Sequence, residues 1–158
     1  MARAGLERAE LGHVIDFEFD ALGYAPAQGA LAVQCWSDDS EVVEYLKTIN
    51  DPVSHSIVTA EWTYLRSLEG GCTLPIAVVS SVQKPDTEEW QPHVDGDDVT
   101  GVKYKLTGHV FNLNNVGEKL THTVEGDLSN HVELGKELAE VLIDQGAKTF
   151  INEDVKAT

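Results

Sequence analysis

Two closely spaced runs of alternating residues constrain this chain more than any other feature. Over residues 103–111, Tyr104, Leu106 and Val110 share one side of a period-two pattern. Leu120, His122 and Val124 repeat that period after a turn at 114–117. Such a pair predicts antiparallel strands with one buried face. Residues 73–82, with Leu74, Ile76, Val78 and Val82, predict a third strand. Two amphipathic helices bracket the three runs. In the first, Asp51 can cap, Pro52 takes the opening position, and Ile57, Ala60, Tyr64, Leu65 and Leu68 form the apolar stripe. Gly70-Gly71 should end it. Glu61 falls inside the stripe and so requires a basic or hydrogen-bonding partner. The second helix is predicted from Asn130 with Glu133 completing the cap. Leu134, Leu138, Val141 and Leu142 form its stripe, and Gly146 closes it. The order helix, strand, loop, strand, turn, strand, helix predicts an α+β domain: a small three-stranded antiparallel sheet covered by helices.

The first 50 residues read differently. Residues 2–11 predict a short helix too brief to be stable alone. Residues 13–19 alternate loosely, 23–29 form a loop around Pro26, and 30–35 form a compact apolar run expected to be a buried strand. Asp38 with Glu41 matches a capping box for a helix carrying Val42, Val43, Leu46 and Ile49, with Asn50 able to end it. Residues 84–102 hold Pro85, Pro92, Gly96, Gly101 and the acids Asp86, Glu88, Glu89, Asp95, Asp97 and Asp98, and predict a solvated loop.

Composition narrows the functional classes. The 158 residues, 42% apolar and 24% charged, can bury a core and are not a disordered tail or a fibre. Eleven basic against 27 acidic side chains give a net charge of −16, which opposes nonspecific binding to nucleic acid or anionic membranes. No apolar run approaches the roughly 18–20 residues of a membrane span. The first residues hold no hydrophobic signal region. Two cysteines, Cys35 and Cys72, make no disulfide framework, and a cytoplasmic location is the expectation.

There is no glycine-rich phosphate loop, no zinc-type spacing and no serine nucleophile elbow, and no metal site is expected. His93 with Asp95, Asp97 and Asp98 reads as part of a solvated loop, and Cys35 as a small core residue. The local feature that stands out is Leu68-Glu69-Gly70-Gly71-Cys72-Thr73-Leu74-Pro75. Cys72 follows two glycines that let the backbone turn and let a bulky group approach. It is either a small residue after an ordinary helix stop or an open thiol with chemistry of its own.

That block, preceded by Thr59-Ala60-Glu61 and Tyr64-Leu65-Arg66, resembles the hydroxymethylbilane synthase family, also called porphobilinogen deaminase. Ala4-Gly5-Leu6-Glu7-Arg8, Gln28-Gly29-Ala30-Leu31-Ala32-Val33, Asn50-Asp51-Pro52, Leu134-Gly135 and Gln145-Gly146-Ala147-Lys148 resemble further family blocks in the same order. The resemblance implies that 1–23 is a remnant of a second domain, that 24–50 supplies a strand and helix to a first domain, and that 51–158 is the cofactor-bearing C-terminal domain. The first two are pieces of α/β domains. It also implies a transferase of heme and tetrapyrrole biosynthesis. The family's enzyme joins four porphobilinogen units head to tail, with release of ammonia, into hydroxymethylbilane. A dipyrromethane cofactor held as a thioether is implied on Cys72, with Gly71, Gln28 and Gly29 near it and Arg8 on substrate or cofactor carboxylates. Arg66 reads as a structural ion-pair partner.

The departures matter as much. Family chains are longer, and this one begins at a point inside the second domain. The other half carries the catalytic aspartate and most of the carboxylate-binding cations, so no catalytic residue is expected here. Only Arg3, Arg8 and Arg66 are arginines, too few for a polycarboxylate product. Trp36 and Trp62 stand where family arginines are usual, and Ala27 where a glycine is. The implied partners are porphobilinogen, the growing polypyrrole and the missing N-terminal half, with no nucleic acid and no membrane. The alternatives are a non-catalytic stand-alone module or an inactive truncated product that keeps the fold.

Overall fold

The computed structural model describes residues 3–17, 22–68, 74–96, 98–113, 115 and 117–152. The elements run α1 (Arg3–Arg8), a 3-10 turn (Gly12–Val14), α2 (Ser40–Lys47), α3 (Pro52–Ser67), β1 (Ile76–Gln83), β2 (Lys103–Phe111) and β3 (Lys119–Asp127). A second 3-10 turn (Leu128–Asn130), α4 (His131–Asp144) and α5 (Ala147–Asn152) follow.

Helix α3 forms for the reasons its sequence predicts. The Asp51 carboxylate accepts from the Ser54 N–H, and Pro52 opens the helix where no amide is needed. Its stripe, from Ile57 to Leu68, is buried. The three strands form an antiparallel sheet in the order β1-β2-β3. Even-numbered positions point inward: Val78, Val82, Tyr104, Leu106, Val110 and Val124 are buried with the stripes of α3 and α4 in one core.

The opposite face of the sheet fixes the same register by different chemistry. Register partners Lys105 and Glu125 form an ion pair at 3.4 Å. The hydroxyls of Thr107 and Thr123 are 2.8 Å apart, and His109 Nδ1 lies 2.9 Å from Thr121 Oγ1. A slip by one residue would break these pairs and turn the apolar set outward.

Helices α3 and α4 touch through backbone. A Cβ on Gly135 would collide with the Ala60 carbonyl oxygen. At Gly108 a Cβ would meet Tyr64 Cζ and Leu138 Cδ2, each at 2.9 Å, so the missing side chain lets both helices rest on β2.

The structure departs from the sequence expectations at four places. Residues 30–36 form no strand, and Leu31 is 100% exposed. An apolar run has the composition of a buried strand but cannot supply the neighbouring strand that it needs. Asp39 rather than Asp38 caps α2, because it is the residue three before the Val42 N–H that it accepts. Asn130 makes no side-chain cap on α4. The 3-10 turn before it runs straight into the helix, and His131 Nδ1 reaches the Leu128 carbonyl at 3.0 Å instead. Residues 84–102 are not wholly solvated: Val94 and Val102 join the core. Gln91 exchanges two backbone hydrogen bonds with Val82, at 2.7 and 2.8 Å. The expected stop at Gly70-Gly71 lies outside the described residues, while α3 itself ends at Ser67.

Candidate functional site

Gly71 and Cys72 lie in 69–73, outside the described residues. The anchors on either side are placed. Leu68 is buried at the C-cap of α3. Pro75, just before β1, accepts from the Phe111 N–H at 2.8 Å. Beside the start of β1 is an open cleft of about 490 Å³, lined by Leu22, Tyr24, Ile76, Phe111, Leu113 and Glu118 among others. The Glu118 carboxylate is held by the side-chain amides of Asn112 and Asn115 at 2.8 and 3.0 Å.

The turn holding Gln28 and Gly29 docks on the C-terminal domain. Tyr24 exchanges two backbone hydrogen bonds with Val78 at the free edge of β1. The Ala27 N–H then donates to Glu61 Oε2 at 2.7 Å. Glu61 Oε1 accepts from the Ser80 hydroxyl at 2.5 Å, and Ser80 Oγ lies 2.9 Å from the Tyr104 hydroxyl. Glu61 therefore finds hydrogen-bonding partners, as its place in the stripe requires, and joins the turn, α3, β1 and β2. Burial pushes the Tyr104 phenol well above its usual range; the Ser80 hydrogen bond opposes that and the Glu61 charge adds to it. Burial likewise pushes Tyr64 up. Both phenols stay protonated donors at neutral pH.

The other predicted site residues are not gathered here. Gln28 is exposed and turns its carboxamide back to accept from the Ala25 N–H at 3.1 Å. Gly29 is exposed at φ +90° with open space around it. Arg8 is exposed in the last turn of α1 and makes no ion pair among the described residues. Arg66 forms no ion pair there either. Its guanidinium lies 5.3 Å from the centre of the Trp62 ring, so a cation–π contact stands in place of the expected ion pair. Cys35 is half-buried rather than in a core. His93 lies 3.6 Å from Asp95 and 3.8 Å from Asp51, and no group of three metal-ligating side chains occurs among the described residues. No helix among them is long and apolar enough to cross a membrane.

Sequence reasoning missed the cleft. Tyr24, Ile76 and Phe111 come from three segments, and no local pattern brings them together. The Ser80–Tyr104 hydroxyl pair was half visible: Glu61 announced a partner but not which one.

Comparison with known proteins decides the family. Residues 56–144, more than half of the chain, match the porphobilinogen deaminase C-terminal domain. Residues 1–44 match the porphobilinogen deaminase dipyromethane cofactor binding domain. The chain belongs to the porphobilinogen deaminase family. Similar proteins include the porphobilinogen deaminases of Nostoc sp., 35% identical over 96% of this chain and 42% of its own length, and of Halalkalibacterium halodurans, 35% identical over 97% and 44%. That of Bacillus cereus is 36% identical over 96% and 44%. The chain therefore spans less than half the length of the curated porphobilinogen deaminases it matches. Cys72 falls within the match to the C-terminal domain, while Arg8, Gln28 and Gly29 fall within the match to the cofactor binding domain.

The described residues do not complete a site for an acid-bearing bis-pyrrole. Leu68 and Leu74 on either side of 69–73 are apolar, Arg66 lies against Trp62, and the Gln28 side-chain oxygen accepts from its own turn. Carboxylates of such a group have no array of cations to meet among them.

Proposed function

We propose that this chain is the C-terminal portion of a hydroxymethylbilane synthase, in which Cys72 tethers the dipyrromethane cofactor as a thioether. One observation carries the reading: the Gly70-Gly71-Cys72 block sits inside a match to the family's C-terminal domain, in a chain 96% of whose own length matches a porphobilinogen deaminase. Gly71, a residue with no Cβ, is assigned to the cofactor beside it. Gln28, Gly29 and Arg8 are assigned to the cofactor and carboxylate side, reached when a partner half closes over them. The boundaries at 23 and 50 follow the same reading, as does a cytoplasmic location. Porphobilinogen and the growing polypyrrole are the ligands of the completed enzyme.

The isolated chain is proposed to be inactive. With a net charge of −16 and three arginines, it lacks the cations that a polycarboxylate needs, and the acid/base carboxylate belongs to the other half. Intact-mass spectrometry after co-expression with the N-terminal half of a relative tests the assignment. The expected result is a dipyrromethane adduct on the native chain and none on Cys72→Ala. An adduct that survives the substitution, or maps to Cys35, overturns it. Ammonia release from porphobilinogen by the 158-residue chain alone should match the uncatalysed rate.

A further inference from the structure

The fold does not demand a glycine at position 96. Gly96 has no left-handed φ, and a Cβ there would meet the Asp98 carbonyl oxygen at 3.4 Å, an ordinary contact. What the missing side chain leaves is an unhindered amide next to an aspartate. Asp95-Gly96 is the one Asp-Gly pair in the sequence, and there is no Asn-Gly. The Asp95 side chain is fully exposed, and His93 Nε2 stands 3.6 Å from its carboxylate. The Gly96 N–H donates no hydrogen bond among the described residues. Both residues lie outside helix and strand. The flanks are fixed: Val94 is in the core, and Val99 packs against it.

We propose that Asp95-Gly96 is a self-modification site, at which the folded chain converts an aspartyl linkage to an isoaspartyl one without an enzyme. The Gly96 nitrogen attacks Cγ of the Asp95 carboxyl group in its neutral acid form. A C–N bond forms, the carboxyl hydroxyl leaves as water with the amide proton, and a five-membered succinimide closes. Water then opens the ring. Opening at the Asp95 main-chain carbonyl leaves the peptide running through Cγ with a free α-carboxylate; opening at Cγ restores aspartate. One water leaves and one enters, and nothing is oxidised or reduced. The chain gains one backbone atom between the anchors Val94 and Val99, where Asp95, Gly96 and Asp98 are all exposed, so the core is not disturbed. The exposed α-carboxylate is the group that an S-adenosylmethionine-dependent isoaspartyl carboxyl methyltransferase esterifies. Neighbouring aspartates are held back. Asp98 accepts from the Thr100 N–H at 3.1 Å, and hydrogen bonds from the Thr100 hydroxyl and amide hold its carboxyl below the usual range, as a poorly electrophilic carboxylate. The residue after it, Val99, is β-branched and crowds the attacking amide. Asp51 is followed by Pro52, which has no N–H to attack with. This inference does not rest on the proposed function.

Ageing the full 158-residue chain for days at neutral pH and body temperature tests it. Isoaspartate is counted with a purified isoaspartyl methyltransferase and labelled S-adenosylmethionine, and located by electron-transfer fragmentation. The label should rise with time and map to position 95, at a rate close to that of a free peptide spanning 91–100. Gly96→Val places a branched Cβ beside the attacking nitrogen and should slow the reaction by roughly tenfold. Asp95→Glu, an exposed change that would require a six-membered ring, should abolish the label at 95. Absence of isoaspartate at 95 in the aged wild-type chain overturns the proposal, as does a yield at Asp98 above that at Asp95. An undiminished rate in Gly96→Val also overturns it. So does a folded-chain rate far below that of the peptide, because the fold would then be holding the pair out of reach of ring closure.

Discussion

Glu61 and Ala27, 34 residues apart, are joined by a 2.7 Å hydrogen bond from the Ala27 amide to the Glu61 carboxylate. The bond ties the N-terminal turn to a helix of the C-terminal domain. Glu61 is 8% exposed and also accepts from the Ser80 hydroxyl. Glu61→Ala removes the acceptor for two donors and should cost about 1–3 kcal/mol in urea unfolding. Glu61→Gln keeps one carbonyl acceptor and should cost less. Equal losses for the two substitutions would mean that packing, not acceptance, is what Glu61 supplies.

Ala27 has φ +62°, in the left-handed region where a Cβ is strained. Ala27→Gly should relieve that strain, against a more flexible unfolded chain, for a net gain of about 0.5–1 kcal/mol. Glycine is also the residue that the family resemblance leads one to expect at this position. A lower midpoint in denaturant for Ala27→Gly would show that the turn relaxes without it.

Gly135 packs against the carbonyl of Ala60 with no room for a methyl group. Gly135→Ala should push α4 from α3 and cost roughly 1–3 kcal/mol, despite alanine's better helix propensity. Thermal unfolding reads the loss directly. A stabilised variant would contradict the close approach.

His109 is 7% exposed on the outer face of the sheet. Burial, and then the charge of Lys119, lower its pKa from the usual 6.5. As pH falls through about 6.5, the unfolded chain takes up a proton on this imidazole before the folded chain does. The unfolded state then binds more protons. The stability that neutral His109 contributes is therefore complete above about pH 6.5 and is lost as pH falls towards the lowered value. Chemical denaturation at a series of pH values between about 7 and 5 should show a shallower slope for His109→Gln than for wild type. Identical slopes would mean that the imidazole titrates alike in both states.

Much of the C-terminal fold was legible because local and tertiary signals agree there. Asp51-Pro52 marks a helix start whatever surrounds it, and Tyr104, Leu106, Val110 and Val124 alternate because one side of their strands is covered. Residues 30–36 misled because apolar composition reports suitability for burial, not the presence of a neighbour. Val94 and Val102 were invisible as core residues because isolated valines in a polar loop have no period. Of the candidate site, Cys72 was legible only as a motif. Gln28 looked available, but a side-chain amide near a turn has a local competitor in the backbone N–H that it in fact binds.

The contact between Ala60 and Gly135 also governs motion. Where two helices meet through backbone, no side chain can swing aside to let one slide past the other. Helices α3 and α4 must tilt as one stiff lever, with the sheet as its bed. The chain leaves that lever at Leu68, so whatever grips α4 on the far side of the domain also steers the point from which residues 69–73 depart.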